Sequence, residues 1–280
     1  MGRLNPSQVL QWGLPRLRDL PWRNTRDPWA ILVSEVMLQQ TQAPRVVPKW
    51  HEFIAAFPSP ESCAAASLGD VLRIWQGLGY PRRARNLHAA ATEIASSGEF
   101  PSTLDALLRL PGVGAYTARA VMAFAFESDT AVVDTNIARV LARIAGTRLT
   151  PKEAQSAADA ALPHGEAWAW NQCLMDLGAG LCRPTAPQCD ACPLRSCCAW
   201  KGNGDDPSIG SAGVSGRQSR FDGSDRQARG RLMKALIEGP VSTEGLAAVM
   251  GCESERATRL AGDLQREGLL VATRIAVCLP

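Results

Sequence analysis

LPGVG, from Leu110 to Gly114, separates a helical pattern on its N-terminal side from one that opens near Tyr116. Glycine adopts positive φ angles without strain, so Gly112 and Gly114 permit a tight turn between the two helices. Such a turn directs backbone N–H groups outward beside a helix N-terminus, where they can hold a phosphate oxygen. We predict a helix-hairpin-helix that binds phosphate, with Arg119 adding positive charge; a simple turn is the alternative.

The composition is that of an ordinary globular protein. With 280 residues, 46% of them hydrophobic, the chain can bury a sizeable core in two or three units. It has no apolar run of membrane-spanning length, and its basic, proline-containing start lacks the apolar core of a signal peptide. We expect a cytoplasmic protein. The net charge is only +3, but 26 of the 30 basic residues are arginine, which favours bidentate phosphate contacts where they cluster.

The chain divides into a long helical part, a linker and a small tail. Residues 6–200 have helical spacing of apolar residues, which predicts an all-α fold. Residues 201–225 are rich in glycine and serine and predict a flexible linker. Three further helical patterns and two short apolar stretches follow, an order that resembles a winged helix. The tail could contact DNA or serve as a generic docking domain.

Four cysteines in the spacing C-x6-C-x2-C-x5-C indicate a metal site: Cys182, Cys189, Cys192 and Cys198. Structural zinc usually takes paired C-x2-C knuckles, and only one such pair is present. The uneven loops therefore favour an iron-sulfur cluster over zinc or over buried cysteines. Cys197, adjacent to Cys198, leaves the fourth ligand ambiguous on spacing alone.

Glu35 lies in the strongly apolar helical stretch WAILVSEVMLQQTQ, with Ile31, Leu32 and Leu38 three or four positions away. We predict that its carboxyl is buried and that its pKa rises, as a general acid at neutral pH requires. A glutamate paired with a buried arginine for structural reasons is the alternative.

The stretch WQGLGYPRRARNLH, residues 75–88, combines glycines, Tyr80 and three arginines in a loop that enters a helix. Because Tyr80 is grouped with Arg82, Arg83 and Arg85, it could wedge between bases. A packed tyrosine above a solvated basic face is the alternative.

Asp134, in AVVDTNIARVLARI, precedes a helix whose apolar face comprises Ile137, Val140, Leu141 and Ile144. This position predicts an N-cap, and a carboxylate held rigidly there can also have a chemical role. The three histidines are scattered without ligand or triad spacing, and we assign them no chemistry.

Six motifs occur in a characteristic order: SEVMLQQTQ, GLGY, LPGVG followed by Tyr116, VVDTN, NQCLMDLGAGLC and the cysteine quartet. Over residues 5–200 the chain resembles the MutY family of adenine DNA glycosylases, within the helix-hairpin-helix DNA glycosylase superfamily. The resemblance implies a bilobal all-α fold with DNA between the lobes. The implied segments are an N-terminal helix packed on the cluster domain (1–23), a six-helix barrel domain (24–130), a cluster domain (131–200), the linker (201–225) and the winged-helix-like tail (226–280).

The same resemblance implies residue roles. Glu35 would protonate the adenine leaving group, Asp134 would stabilise the positive charge on the deoxyribose, and Tyr116 and Asn136 would support the sugar. The implied adenine pocket comprises Trp22, Arg23 and Gln172, and Gln40 and Tyr80 would fill the opened duplex. The cysteines would hold a [4Fe-4S] cluster, beside which Arg183 and Arg195 would contact phosphates.

The resemblance also separates two reactions. Related endonuclease III proteins have a catalytic lysine where this chain has Tyr116, and the four lysines of the chain lie elsewhere. We therefore predict a monofunctional glycosylase for adenine opposite 8-oxoguanine or guanine, acting as a monomer on double-stranded DNA of the nucleoid.

Two departures from the MutY pattern keep other functions open. Thr135 replaces the usual glycine of VDGN, and the tail is shorter than the Nudix-like domain of long MutY proteins. An endonuclease III-like lyase and a non-enzymatic iron-sulfur DNA sensor stay as alternatives. Five arginines could help the tail bind a DNA backbone or simply be solvated: Arg217, Arg220, Arg226, Arg229 and Arg231.

Overall fold

The computed structural model describes residues 4–211 and 220–280. This part of the chain is predominantly α-helical, as predicted. None of its helices combines the length and the apolar character needed to cross a bilayer.

Eleven helices lie in the described chain before residue 200. They are α1 (Pro6–Gly13), α2 (Pro28–Leu38), α3 (Ala43–Ala56), α4 (Pro60–Ala65), α5 (Leu68–Ile74), α6 (Arg82–Ser97), α7 (Leu104–Leu108), α8 (Ala115–Phe124), α9 (Thr135–Ala145), α10 (Pro151–Ala161) and α11 (Ala167–Gly180). Single 3₁₀ turns occupy Leu14–Arg16, Pro21–Arg23 and Cys189–Ala191. Capping residues fix several starts: a Ser59–Ser62 capping box begins α4, and a Thr150–Glu153 box begins α10.

The first compact unit comprises the described residues of 1–31, 102–108 and 113–217. Helix α11 lies at its centre, and α1, α8 and α9 pack against it. The apolar face predicted for α9 is confirmed, since Ile137, Val140, Leu141 and Ile144 are all almost fully buried.

The second compact unit comprises residues 32–101 and 109–112 together with the described residues of 218–280. Helix α6 packs on α4 and α5, around a core that includes Phe53, Trp75 and Leu87. The sequence predicts the tail as a separate segment, whereas here it belongs to the same compact unit as α3 to α6. The predicted segment boundaries themselves stay a prediction.

The C-terminal domain has the winged-helix order helix, strand, helix, helix, strand, strand. Its elements are α12 (Asp225–Glu238), β1 (Val241–Ser242), α13 (Leu246–Met250), α14 (Ser254–Arg266), β2 (Val271–Ala272) and β3 (Ala276–Cys278). The strands form an antiparallel sheet in the order β1-β3-β2, with Val241 opposite Val277 and Val271 opposite Cys278. Helix α12 packs against α5.

The first part of the predicted flexible linker is packed. Asp206 forms an ion pair with Arg143 at 2.6 Å, and Ser208 and Ser211 are buried. The glycine-rich composition does not predict this packing, because the packing depends on one buried ion pair between Asp206 and the distant residue Arg143. Residues 212–219, with Arg217, lie outside the described residues.

Candidate active site and cysteine cluster

Asp134 is the N-cap of α9, which confirms that prediction. Its Oδ1 accepts a hydrogen bond from the backbone N–H of Ile137 at 2.7 Å, and its Oδ2 accepts one from Nδ2 of Asn136 at 2.8 Å. Both carboxylate oxygens are therefore held in place. A carboxylate fixed in this way can stabilise a positive charge without reorganising.

The Asp134 side chain lies at a half-buried position. Burial raises its pKa above the ordinary aspartate value, although hydrogen bonds from Ile137 and Asn136 and the charge of Arg139 act in the opposite direction. The ionised form of Asp134 therefore depends on these neighbours.

Arg139 connects Asn136 to the start of the cysteine motif. Its Nη2 donates to Oδ1 of Asn136 at 2.8 Å and to the carbonyl of Gly178 at 2.7 Å, and its Nε donates to the carbonyl of Cys182 at 2.7 Å. Because Arg139 is only 4% exposed, water competes little with these bonds. A continuous hydrogen-bond chain thus runs from Cys182 to Asp134.

Sequence reasoning missed Arg139 and Gly178. The available signal was the i, i+4 spacing of Arg139 and Arg143, which places two arginines on one face of α9. A Cβ atom at Gly178 would lie 2.6 Å from Cβ of Asn136, so only glycine lets α11 approach α9 at this point.

The four predicted ligands come together. Cys182, Cys189, Cys192 and Cys198 line one cavity, together with Arg143 and Trp200. In the described parts of the chain no cysteine, histidine or carboxylate set is gathered tightly enough to hold a single metal ion. Four cysteine thiols that line one cavity are a donor set that an iron-sulfur cluster uses.

Hydrogen-bond donors surround these sulfurs. Nη1 of Arg143 lies 3.3 Å from Sγ of Cys182, and the backbone N–H of Lys201 donates to Sγ of Cys198 at 3.4 Å. Arg143 also stacks on Trp200, with its guanidinium carbon 4.5 Å from the ring centroid. Such donors stabilise the negative charge of metal-bound thiolates.

The structure distinguishes the two adjacent cysteines. Both thiols donate to a backbone carbonyl at 3.3 Å, Cys197 to Leu194 and Cys198 to Arg143, but of the two only Cys198 lines the cavity. This arrangement favours Cys198 as the fourth ligand.

Glu35 lies on α2, on a stretch that is buried from residue 31 to residue 37, and is itself only 4% exposed. Its predicted burial is confirmed.

Arg83 forms hydrogen bonds both to the end of α2 and to the loop that precedes α6 and contains Tyr80. Its Nη1 donates to the carbonyls of Val36 and Met37, both at 2.8 Å, and its Nη2 donates to the carbonyls of Leu78 and Gly79, both at 3.0 Å. Arg83 is 8% exposed, and burial lowers its pKa to about 10. It is therefore a structural arginine that the fold withdraws from solvent.

The two segments that Arg83 joins carry the predicted duplex-filling residues. Gln40 and Tyr80 are both exposed, and both have positive φ angles, 57° and 48°. Non-glycine residues rarely adopt this conformation, and where they do it commonly marks a functional site. The loops therefore present these two side chains in fixed, strained conformations.

The predicted hairpin joins α7 to α8. Gly112 has φ 77°, and a Cβ atom there would lie 2.6 Å from Cβ of Asn86 on α6, so glycine is required on both grounds. Gly114 is the N-cap of α8 in an extended conformation that any residue can adopt. Arg119, predicted to add charge, is paired with Asp159 at 3.0 Å.

Comparison with known proteins places the chain in a family. Residues 33–163 match the family described as HhH-GPD superfamily base excision DNA repair protein. The adenine DNA glycosylase of Mycobacterium tuberculosis (strain ATCC 25618 / H37Rv) is 42% identical over 281 residues, which cover 96% of this chain and 91% of that protein. The chain belongs to the adenine DNA glycosylases of the HhH-GPD superfamily. This confirms the resemblance read from the motifs.

Other adenine DNA glycosylases match to different extents. That of Mycolicibacterium smegmatis (strain ATCC 700084 / mc(2)155) is 39% identical over 279 residues, which cover 96% of this chain and 94% of that protein. That of Homo sapiens is 39% identical over 211 residues, which cover 68% of this chain and 38% of that protein. Because the mycobacterial matches cover nearly the whole chain, they extend into the C-terminal domain.

Solved structures of glycosylases share the fold. A thermostable thymine-DNA glycosylase aligns with a TM-score of 0.67 and 32% identity, covering 70% of this chain and 94% of that one. A trapped covalent complex of endonuclease III with DNA aligns with a TM-score of 0.62 and 25% identity, covering 71% and 98%. The predicted helix-hairpin-helix glycosylase fold is confirmed.

Tyr116 occupies the second position of α8 and is half-buried, in the position where the resemblance places a lysine in endonuclease III proteins. The lysines of this adenine DNA glycosylase family member lie on other elements: Lys49 on α3, Lys152 on α10 and Lys234 on α12, with Lys201 after the cysteine motif. Helix α8 therefore offers no amine nucleophile.

The residues implied for the adenine pocket are buried in the first unit: Trp22, Arg23 and Gln172. Arg23 forms a bidentate pair with Asp176, with both nitrogen-oxygen distances at 2.8 Å. Its Nε is buried and has no hydrogen-bond partner among the described residues, so one donor is left over. Their role in an adenine pocket stays a prediction.

The two arginines predicted to contact phosphates near the cluster have different partners within the protein. Arg195 pairs with the exposed Asp190 at 3.1 Å, and Arg183 donates to the carbonyl of Ala186 at 3.0 Å. Exposed ion pairs of the first kind are weak, so a DNA phosphate can displace Asp190.

Proposed function

We propose that the protein is a monofunctional DNA glycosylase in base excision repair that hydrolyses the N-glycosidic bond of adenine opposite 8-oxoguanine or guanine. The observation that carries this proposal is the Asp134 carboxylate, held by Ile137 and Asn136, in a chain whose α8 has no lysine. The family and the names of the mycobacterial relatives support adenine as the base.

In this mechanism Glu35 donates a proton to a ring nitrogen of the adenine, which turns the base into a better leaving group. Burial of Glu35 in α2 supports this role, because an apolar environment disfavours a charged carboxylate. As the bond breaks, positive charge develops on the deoxyribose.

Asp134 stabilises that positive charge in its ionised form. Asn136 orients Oδ2, while Tyr116 supports the sugar from the start of α8. Water then attacks the sugar carbon and completes hydrolysis. Since no amine participates, the product is an abasic site and the strand stays intact.

Removing the base requires that adenine leave the stack, at a cost of a few kcal/mol that inserted side chains offset. Gln40 and Tyr80 are suited to fill the vacated space, because Arg83 holds both of their loops. Trp22, Arg23 and Gln172 would then receive the flipped adenine.

A [4Fe-4S] cluster held by Cys182, Cys189, Cys192 and Cys198 fits the donor set. When bound, it cross-links residues 182–198 and so fixes the basic loop with Arg183 and Arg195 for DNA. Hydrolysis needs no electron transfer. We further propose that the enzyme acts as a monomer on the nucleoid in the cytoplasm.

The test is single-turnover cleavage of duplexes with adenine opposite 8-oxoguanine, adenine opposite guanine, and thymine or uracil mismatches. Adenine should be released from the first two, and strand breaks should appear only after alkali. Preferential thymine removal would refute the substrate, and a covalent adduct trapped by borohydride would indicate the lyase reaction. The Glu35→Gln variant should lose adenine release; an unchanged rate would exclude the acid role, and no release by the wild type would favour a non-enzymatic DNA sensor.

A further inference from the structure

The C-terminal domain contacts α6 through residues that follow α14. Nη1 of Arg85 donates to the backbone carbonyl of Glu267, and the Glu267 carboxylate lies 3.1 Å from Nε of Arg82. Arg82 and Arg85 form the first turn of α6, directly after Tyr80. The domain therefore contacts the helix that supports the tyrosine loop.

The Glu267 carboxylate is suited to a permanent contact. It is 12% exposed and pairs with Arg229 of its own domain as well as with Arg82. Burial opposes ionisation, but the two arginines outweigh it and lower the pKa of Glu267 below its usual range. The pair with Arg229 is shielded from water, whereas the Arg82 side chain is 64% exposed and its ion pair is correspondingly weaker.

Arg85 extends this contact to the hairpin. Its Nη2 donates to Oδ1 of Asn86 at 2.9 Å, and Asn86 is the residue that packs against Gly112. One turn of α6 thus contacts the C-terminal domain, the Tyr80 loop and the hairpin.

A second contact lies on α5. The backbone N–H of Gly69 donates to the carbonyl of Pro280 at 3.1 Å. A Cβ atom at residue 69 would lie 2.7 Å from that oxygen, so only glycine admits the chain end here. The domain is thus attached at two separate points.

Helix α14 contributes three arginines to the domain. Its arginines are already paired within the domain: Arg256 and Arg259 with Asp225 at 2.7 Å and 3.0 Å, and Arg266 with Asp263. Arg259 and Arg266 are 54% and 73% exposed, so these ion pairs are weak. The charges of the domain serve internal pairing and the contact with α6.

We propose that Glu267 is a positioning residue through which the C-terminal domain braces α6, and thereby sets the Tyr80 loop for recognition of the base opposite adenine. This inference rests on the proposed glycosylase function. It gives the short tail a part in mismatch discrimination without any direct contact with the lesion.

The test compares four full-length variants with the metal site loaded: Glu267→Gln, Glu267→Asp, Gly69→Ala and the control Glu255→Gln. The control removes an exposed charge from the first turn of α14, at the end of that helix opposite Glu267. Single-turnover rates and Kd values are measured for adenine opposite 8-oxoguanine and opposite cytosine. Melting temperatures identify any variant that is not folded. Glu267→Gln is also combined with Tyr80→Ala.

We expect Glu267→Gln and Gly69→Ala to lower the 8-oxoguanine to cytosine rate ratio by roughly three- to tenfold, the size of coupling between contacting residues. Glu255→Gln should leave the ratio unchanged, and Glu267→Asp should restore much of it. In the Tyr80→Ala background Glu267→Gln should have no further effect.

The inference is overturned if Glu267→Gln and Gly69→Ala both keep the wild-type ratio, or if Glu267→Gln has the same effect with and without Tyr80. Failure of the proposed function would look different, because the wild-type protein would then release adenine from neither duplex.

Discussion

Nε of Arg139 donates a hydrogen bond to the backbone carbonyl of Cys182 at 2.7 Å. The same guanidinium holds Asn136, and Asn136 holds the carboxylate of Asp134. The first cysteine of the candidate cluster is thereby connected to the carboxylate proposed to stabilise the transition state. The cluster loop can influence the rate through this chain without taking part in the chemistry.

Arg139→Gln should lower the single-turnover rate more than it lowers DNA affinity, because Asn136 loses its anchor while the DNA-contacting loops stay intact. We also expect a loss of stability of about 1–3 kcal/mol from the carbonyl of Gly178, which loses its donor, whereas the carbonyl of Cys182 keeps a bond from Arg143 at 3.1 Å. Rate, Kd and urea unfolding measure these effects. Loss of affinity with an unchanged rate would contradict the positioning role.

The Asp134→Asn substitution removes the negative charge of this residue but keeps a side chain that can cap α9. Asparagine is as good an N-cap as aspartate, so the melting temperature should change little. The single-turnover rate should fall on the order of a hundredfold or more, because the developing positive charge loses its counter-ion. A variant with near wild-type rate would exclude the electrostatic role of Asp134.

The raised pKa of Asp134 predicts a pH effect. Since the ionised form is the active one, the rate should fall as the pH drops through the folded-state pKa, which lies above the ordinary aspartate value of about 3.9. Asn136→Ala removes a donor that lowers this pKa and should move the acid limb of the rate profile to higher pH. A shift of the acid limb to lower pH would show that Asn136 raises the pKa of Asp134 instead of lowering it.

Arg83→Lys should destabilise the second unit and loosen both duplex-filling loops. An ammonium cannot reach four separate carbonyls, and we expect a loss of about 2–4 kcal/mol. Arg45→Lys, at an exposed position of α3, is the matched control and should change stability by less than about 0.5 kcal/mol. Urea unfolding of both variants decides whether the guanidinium geometry matters.

Cys198→Ser should abolish incorporation of the cluster, whereas Cys197→Ser should leave it intact, because only Cys198 lines the cavity. Iron and sulfide analysis of the purified variants is the measurement. Equal iron content in the two variants would mean that Cys197 can replace its neighbour.

Several features follow from the sequence by itself. The apolar periodicity of α9, the burial of Glu35 and the N-cap of Asp134 depend on residues within one or two helical turns, so local spacing predicts them. The ordered motifs identify the family, and the cysteine spacing identifies the four ligand candidates.

Only the tertiary structure decides the roles of the arginines. The sequence around Arg83, Arg85 and Arg139 does not distinguish their roles. In the structure Arg83 bonds the end of α2, Arg85 bonds the C-terminal domain, and Arg139 holds Asn136, which in turn bonds Asp134. The carbonyls that accept their hydrogen bonds lie between 4 and 182 positions away. The burial of an arginine depends on which distant backbone the fold brings to it, and the spacing of residues along the chain does not contain that information.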